Sequence, residues 1–200
     1  MKRSLKLCFQ IHNIMKKSIV NTIAILTLLF SITASYGAIH HTKVPALAKS
    51  IKASMDKSDQ LTAVFDNYFA VKDALVKTDG TTAATKATAL LLAINAVKMD
   101  KLEMDVHMVW MKVMADLKKD AQHISETKDA KHQREYFNTL SKNIYALLKV
   151  CKQETPVYYQ FCPMANNGKG ANWLSKESAV KNPYYGSMML TCGKTVETIK

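Results

Sequence analysis

The sequence predicts a mainly α protein: an up-down four-helix bundle over residues 58–150, followed by a small loop-rich C-terminal segment, residues 156–200, with short β-strands. Three observations carry this. Apolar residues recur at three- and four-residue steps through four successive runs, the period of a helix with one buried face. The links between those runs are short, which makes neighbouring helices antiparallel. After Thr155-Pro156 the periodicity stops, and aromatics, glycines and prolines take over.

The first run begins near Ser58, with Leu61, Val64, Phe65, Tyr68, Phe69, Val71 and Leu75 on its inner face, and Asp79-Gly80 is expected to stop it. The second, Thr81 to Met99, is rich in alanine and carries Leu90, Leu91, Ile94 and Val97; its threonine-rich start is a weak helix former. The third spans Lys101 to Ile124. Its stripe of Leu102, Val106, Val109, Trp110, Val113 and Leu117 adjoins another of Met104, His107, Met108, Met111 and Met114. A helix apolar on two adjacent faces is expected at the centre of its bundle. The fourth, Ala130 to Val150, turns Tyr136, Phe137, Leu140, Ile144, Leu147 and Leu148 inward. Beyond it, Val157 to Phe161 has strand character, Asn166 to Gly170 must turn, and Met188 to Leu190 and Thr195 to Ile199 read as short strands. Ser175 reads as the cap of a short helix at Lys176 to Ser178.

Residues 1–37 read as a secretory signal peptide. Lys16 and Lys17 precede an apolar run from Ile19 to Ile32, and Ser35 and Gly37 suit cleavage before Ala38. Met15 opens a more ordinary signal than Met1. The run is shorter than the roughly 20 residues of a spanning helix, so the membrane is met only through the signal, and the protein is expected to be periplasmic or secreted. Residues 38–57, with Pro45, read as a flexible arm, leaving residues 58–200 as a single domain. The formal charge is +12, of which Lys2, Arg3, Lys6, Lys16 and Lys17 leave with the signal. The remaining basic excess is spread among acids along the helices, which argues for a solvated surface and against nucleic acid.

Of four cysteines, Cys8 lies in the signal. Cys151, Cys162 and Cys192 remain, an odd number that cannot all pair internally. Cys162 and Met164 flank Pro163, and Met189 and Cys192 stand three apart in a glycine-bounded segment. Two thiolates and two thioethers form a soft donor set that suits Cu(I) or Ag(I); exchange of a methionine for His107 shifts the preference toward zinc or Cu(II). The alternative is a Cys162–Cys192 disulfide closing a loop of about 30 residues, which stabilises by roughly 3–4 kcal/mol. Met104, His107, Met108 and Met111 share a helix face, a pattern that serves as adaptable core or as further ligands. His40 and His41 read as part of the flexible tail. No nucleophile–base pair, phosphate-binding glycine loop or paired-acid motif is present, and no enzyme is expected.

The words His107-Met-Val-Trp110-Met111, Gln133-Arg-Glu-Tyr-Phe137, Tyr159-Gln-Phe-Cys162-Pro-Met164, Gly170-Ala-Asn-Trp173-Leu-Ser175 and Asn182-Pro-Tyr-Tyr-Gly186 through Met189 to Cys192-Gly193 resemble the bacterial domain-of-unknown-function family numbered 3347. The resemblance covers about Ser58 to Lys200. It implies a helical bundle with a compact C-terminal segment and a link to copper or silver handling, because such domains also end the periplasmic adaptor subunits of heavy-metal efflux pumps. Cys162, Met164, Met189, Cys192, His107 and Met111 fall on the family's motifs; Cys151 and Met188 fall where the pattern is loose. The coiled-coil and lipoyl-like regions of the adaptors are absent from this sequence.

Two functions follow as expectations. One is a periplasmic soft-metal binder with copper, silver or zinc as cargo, Cys162, Met164, Met189 and Cys192 as ligands, His107 and Met111 in support, and a heavy-metal efflux component as partner. The other is a non-catalytic interaction module with a structural Cys162–Cys192 disulfide, docking through Tyr158, Trp173, Tyr184 and Tyr185. On the first, the C-terminal segment is expected to lie over the methionine face of the third helix, with Trp110 beneath it.

Overall fold

The computed structural model describes residues 59–200. The segments read as a signal peptide and a flexible arm, with His40 and His41, fall outside them. A 3-10 turn, Asp59–Leu61, leads into four α-helices: α1 Thr62–Val76, α2 Gly80–Ala96, α3 Met104–Ser125 and α4 Ala130–Leu148. Successive helices pack on one another, and α4 returns to α1. A three-stranded antiparallel sheet follows, in the order β2-β1-β3, from β1 Val157–Cys162, β2 Ala171–Ser175 and β3 Lys194–Ile199. The expected mainly α class, with a small β segment at the C-terminus, is the architecture observed. Among the described residues no helix is long and apolar enough to cross a membrane.

The helical core is the apolar stripes read from the sequence. Val64, Tyr68, Val71 and Leu75 of α1, Leu90 and Ile94 of α2, Trp110 and Leu117 of α3, and Phe137, Leu140, Ile144 and Leu147 of α4 are all buried. Each side chain of this size contributes about 1.5–3 kcal/mol by leaving water. The boundaries shift where local chemistry outweighs periodicity. Asp79-Gly80 starts α2 as well as ending α1: the Asp79 carboxylate accepts from the backbone N–H of Thr82 at 2.9 Å and from its hydroxyl at 2.6 Å. This satisfies a free donor of the first turn and explains how a threonine-rich start holds a helix.

The C-terminal segment differs more from expectation. Met188 to Leu190 is no strand; Gly186–Met189 is a 3-10 turn. Ala171–Ser175 is a strand, so Ser175 caps no helix; its hydroxyl accepts from the Glu177 N–H at 3.0 Å in a tight turn. The 166–170 turn is as expected, with Asn166, Asn167, Gly168 and Gly170 all at positive φ. β3 carries an extra residue, Val196, opposite the Tyr159–Gln160 step of β1.

The sheet packs on α4 and α1. Tyr68 of α1 ties the layers together. Its ring stacks on Phe137 at 5.4 Å, and its hydroxyl meets Ser141 at 2.9 Å and accepts from the Leu174 N–H of β2 at 3.0 Å. Tyr159 of β1 stacks on Tyr145 of α4 at 3.9 Å, and the Tyr145 hydroxyl donates to Glu197 of β3 at 2.6 Å. Lys176, just after β2, pairs with Asp66 of α1 at 2.7 Å and lies over the Phe69 ring.

This placement corrects the expectation that the C-terminal segment covers the methionine face of α3. Met104, Met108 and Met111 remain 76%, 54% and 52% exposed. Trp110 is fully buried among the helices, not under the sheet's loops. Most of the stripe is therefore not core either: α3 turns Val106, Trp110, Val113 and Leu117 inward and leaves Met104, Met108 and Met111 at the surface, while Met114 is part-buried against the core.

Candidate functional site

Cys162 ends β1 and is fully buried; its partner across β2 is Ala171. Cys192 lies just before β3 and is half-buried. Their sulfurs are 3.0 Å apart, and both are free thiols. The sequence separation of 30 residues is closed by a loop built for the purpose.

Asn182 is the hub of that loop. It is fully buried. Its side-chain amide donates to the carbonyl of Cys192 at 2.9 Å, its side-chain oxygen accepts from the Tyr184 N–H at 2.8 Å, and its own backbone N–H donates to Leu190 at 2.8 Å. These bonds hold the two ends of residues 182–192 together. Cys192 in turn donates its N–H to the Met189 carbonyl at 3.1 Å.

Gly193 lets the chain come this close. Its φ is +139°, and a Cβ there would lie 2.7 Å from the Phe161 carbonyl oxygen and 2.9 Å from the Trp173 ring. Only glycine accepts both the conformation and the approach. The following strand thus pairs with β1 beside Cys162, and Cys192 arrives at sulfur contact.

Arg134 of α4 clamps the loop to the helices. Its Nε donates to the Pro183 carbonyl at 2.7 Å, and its terminal nitrogen donates to the Leu75 carbonyl at 3.1 Å and the Thr78 hydroxyl at 3.0 Å. Gly186, at φ +57°, packs where a Cβ would strike the Thr78 hydroxyl at 2.3 Å. Tyr184 lies between Phe137 and Trp173, and its hydroxyl donates to the Asn172 carbonyl at 2.6 Å. Tyr185 donates to the Met164 carbonyl at 2.7 Å. The Asn-Pro-Tyr-Tyr-Gly word is thus a structural clasp. Trp173 is fully buried and Tyr184 nearly so, which removes them from the docking surface expected of Tyr158, Trp173, Tyr184 and Tyr185.

The thiol environment is asymmetric. The Cys192 thiol is pushed above its ordinary pKa, first by its hydrogen bond with Cys162 and then by desolvation. The raised Cys192 thiol thus stands in hydrogen-bond contact with the Cys162 sulfur. Met164 and Met189 stand in the adjoining loops with side chains 53% and 36% exposed. Among the described residues no three His, Cys, Asp or Glu side chains converge. His107 therefore forms no such group with the two thiols among the described residues.

Cys151 stands apart, beside a cavity of about 560 Å³ lined also by Phe65, Phe69, Val106 and Val157. Burial, aided by the charge of Asp105, pushes its thiol up to about 11. It is a protonated, unreactive thiol. The sequence reading missed Asn182 and Arg134 as the residues that set the thiol–thiol approach. The signals were the Asn-Pro pair, which marks a turn, and the presence of both residues in the words that carry the family resemblance.

No curated protein matches the chain, and no solved structure matches it. On residues 64–155, which take in nearly all of the helical layer but stop short of β1 and of both site cysteines, the chain matches the family described as Protein of unknown function (DUF3347).

Proposed function

We propose that the chain is a non-enzymatic, exported binding protein whose working group is the Cys162–Cys192 dithiol, and that in its reduced form this pair takes one soft monovalent cation, Cu(I) or Ag(I). The observation that carries the reading is the 3.0 Å approach of one buried and one half-buried thiol at the end of a purpose-built loop. Thiolates select soft ions. Two of them suffice for a monovalent cation, whereas zinc in a structural site takes four nitrogen or sulfur ligands and finds no such cage among the described residues. Copper and silver are thus favoured over zinc. Met189, one turn before Cys192, supplies a thioether on the exposed side.

Uptake requires the sulfurs to part. At a metal–sulfur distance of about 2.3 Å, two sulfurs in line stand ~4.6 Å apart. Cys162 is fixed in β1, so Cys192 is the ligand that moves, on its loop, and both thiols release their protons on binding.

The same distance favours a second reading, in which the pair is a disulfide. Bonded sulfurs stand about 2.05 Å apart, and an oxidising compartment supplies the conditions. On that reading the bond locks the C-terminal segment shut and the chain is a binding scaffold.

Anaerobic Cu(I) competition titration of the reduced chain tests the first reading. Binding tighter than micromolar that is lost in Cys162→Ser/Cys192→Ser supports it. Absence of such binding, or binding unchanged in that variant, overturns it. Thiol counting on the unreduced protein separates the second: a non-reducible blocked pair released by a chelator speaks for metal, and a pair released only by reductant speaks for disulfide.

A further inference from the structure

The face of α3 that the sheet leaves uncovered carries a soft-donor set of its own. Met104, His107, Met108 and Met111 stand at i, i+3, i+4 and i+7, so any three consecutive members fall within about one helical turn, with Cβ atoms about 5–6 Å apart along the face. The three methionines are more than half exposed. His107 is distinctive too. His123 stacks on Tyr136 at 4.3 Å, and His132 pairs with Glu135 at 3.5 Å. The His107 imidazole has no ring contact, hydrogen bond or ion pair among the described residues.

We propose that this face is a second soft-metal site, in which the His107 imidazole and the thioethers of Met104, Met108 and Met111 hold one Cu(I) or Ag(I) ion independently of the cysteines. Imidazole and thioether are neutral donors. A site built from them adds no charge to offset a dication, and it suits a monovalent soft ion. Methionine side chains have three rotatable bonds and reach from neighbouring turns toward one point. With metal–sulfur bonds of about 2.3 Å, donors need only approach within ~4.6 Å of one another; neighbours rooted about 5–6 Å apart achieve this by rotation, and Met104 and Met111, rooted about 10.5 Å apart, reach toward His107 and Met108 between them from either side. Neutral ligands bind more weakly than a thiolate pair and release no proton, so this is an exchange site, filled after the dithiol and emptied first.

The inference shares its donor chemistry with the dithiol reading but not its residues, and titration separates the two. Silver nitrate is titrated calorimetrically, in chloride-free buffer, into the reduced chain. Two equivalents are expected for the unaltered protein. Cys162→Ser/Cys192→Ser should keep one, and Met104→Leu/Met108→Leu/Met111→Leu should keep the other. Leucine matches methionine in volume and helix propensity, so the second variant folds as the parent does, which circular dichroism verifies. In the cysteine variant carrying ¹³C-methyl methionine, Ag(I) should shift the methyl resonances of Met104, Met108 and Met111. Loss of all silver binding in the cysteine variant overturns the proposal, as do shifts confined to Met164, Met188 and Met189. A single equivalent in the unaltered chain that disappears in the leucine variant overturns the dithiol reading and leaves this one standing.

Discussion

Residues 62–148 and residues 157–199 solve the same problem, the exclusion of water, by different means. The helices do it with side-chain repetition: Leu75, Leu90, Ile94, Leu117, Leu140, Ile144 and Leu147 fill one interior, and any of them could be traded for another aliphatic of similar volume. The C-terminal segment has few such residues. It relies on single polar groups with several partners each: Asn182 within its loop, Arg134 reaching from α4, and the Tyr68 and Tyr184 hydroxyls satisfying backbone groups of β2. The difference teaches where function can sit. A layer held by interchangeable hydrophobes is a support. A segment held by irreplaceable hydrogen bonds and close glycine approaches has its geometry specified atom by atom, and its product is the sulfur–sulfur contact.

The largest perturbation of this comparison is removal of the second region altogether. Truncation after Pro156 uncovers Tyr68 and Phe137 and deprives Arg134 of the Pro183 carbonyl. With about 1.5–3 kcal/mol for each large side chain re-exposed, a loss of about 3–6 kcal/mol is expected from these two alone, read as a large fall in Tm. A truncated chain that melts with the full chain would show that the two regions do not support each other.

Asn182→Ala is the finer cut. It leaves the Cys192 carbonyl and the Tyr184 N–H without their partner inside the fold, at a cost of about 2–3 kcal/mol. The loss should be confined to the loop. Hydrogen exchange should quicken through residues 182–193 while the α1 to α4 amides keep their protection, and Cys162 should become accessible to a thiol reagent.

Asp120 tests the helical layer in the same currency. It is buried on α3 with one carboxylate oxygen unpartnered, and burial, with the nearby charge of Asp116, raises its pKa to about 7. Against an unfolded value near 3.9, the folded state holds the proton more tightly. Between about pH 4 and 7 the folded chain therefore binds more protons than the unfolded one, and stability falls as pH rises through that window. Asp120→Asn should flatten this slope and gain roughly 2–4 kcal/mol at pH 8 relative to the parent, measured by urea denaturation at pH 4.5 and pH 8.

Met108→Leu should do almost nothing to stability, within about 0.5 kcal/mol, because its side chain is half out of the protein. A larger loss would mean that the methionine face is packed in solution.

The same division decides what could be read in the sequence. The four helices were legible because each repeats one signal every three or four residues, and Tyr68, Phe137 or Trp110 could be assigned inward without knowing their neighbours. The face of α3 was misread for a related reason: periodicity tells apolar from polar, and methionine counts as apolar whether it meets a core or solvent. Cys162 and Cys192 were recognisable as a pair from their residue type and setting. Their contact was not, since it depends on Gly193 at φ +139° and on Asn182 bridging ten residues. The Ala171–Ser175 strand was hidden because Asn172 and Ser175 carry no strand preference; it exists by pairing with β1, residue against residue from Tyr158–Ser175 to Cys162–Ala171.

The central claim is that the two thiols are one site for one soft ion. Copper K-edge absorption on the reduced chain, loaded anaerobically with a single equivalent of Cu(I), tests it most directly. The account predicts a first shell of sulfur alone, two to three scatterers at about 2.3 Å, that collapses in Cys162→Ser/Cys192→Ser. A shell of nitrogen or oxygen at one equivalent, or a sulfur shell unchanged by removing both cysteines, would contradict it.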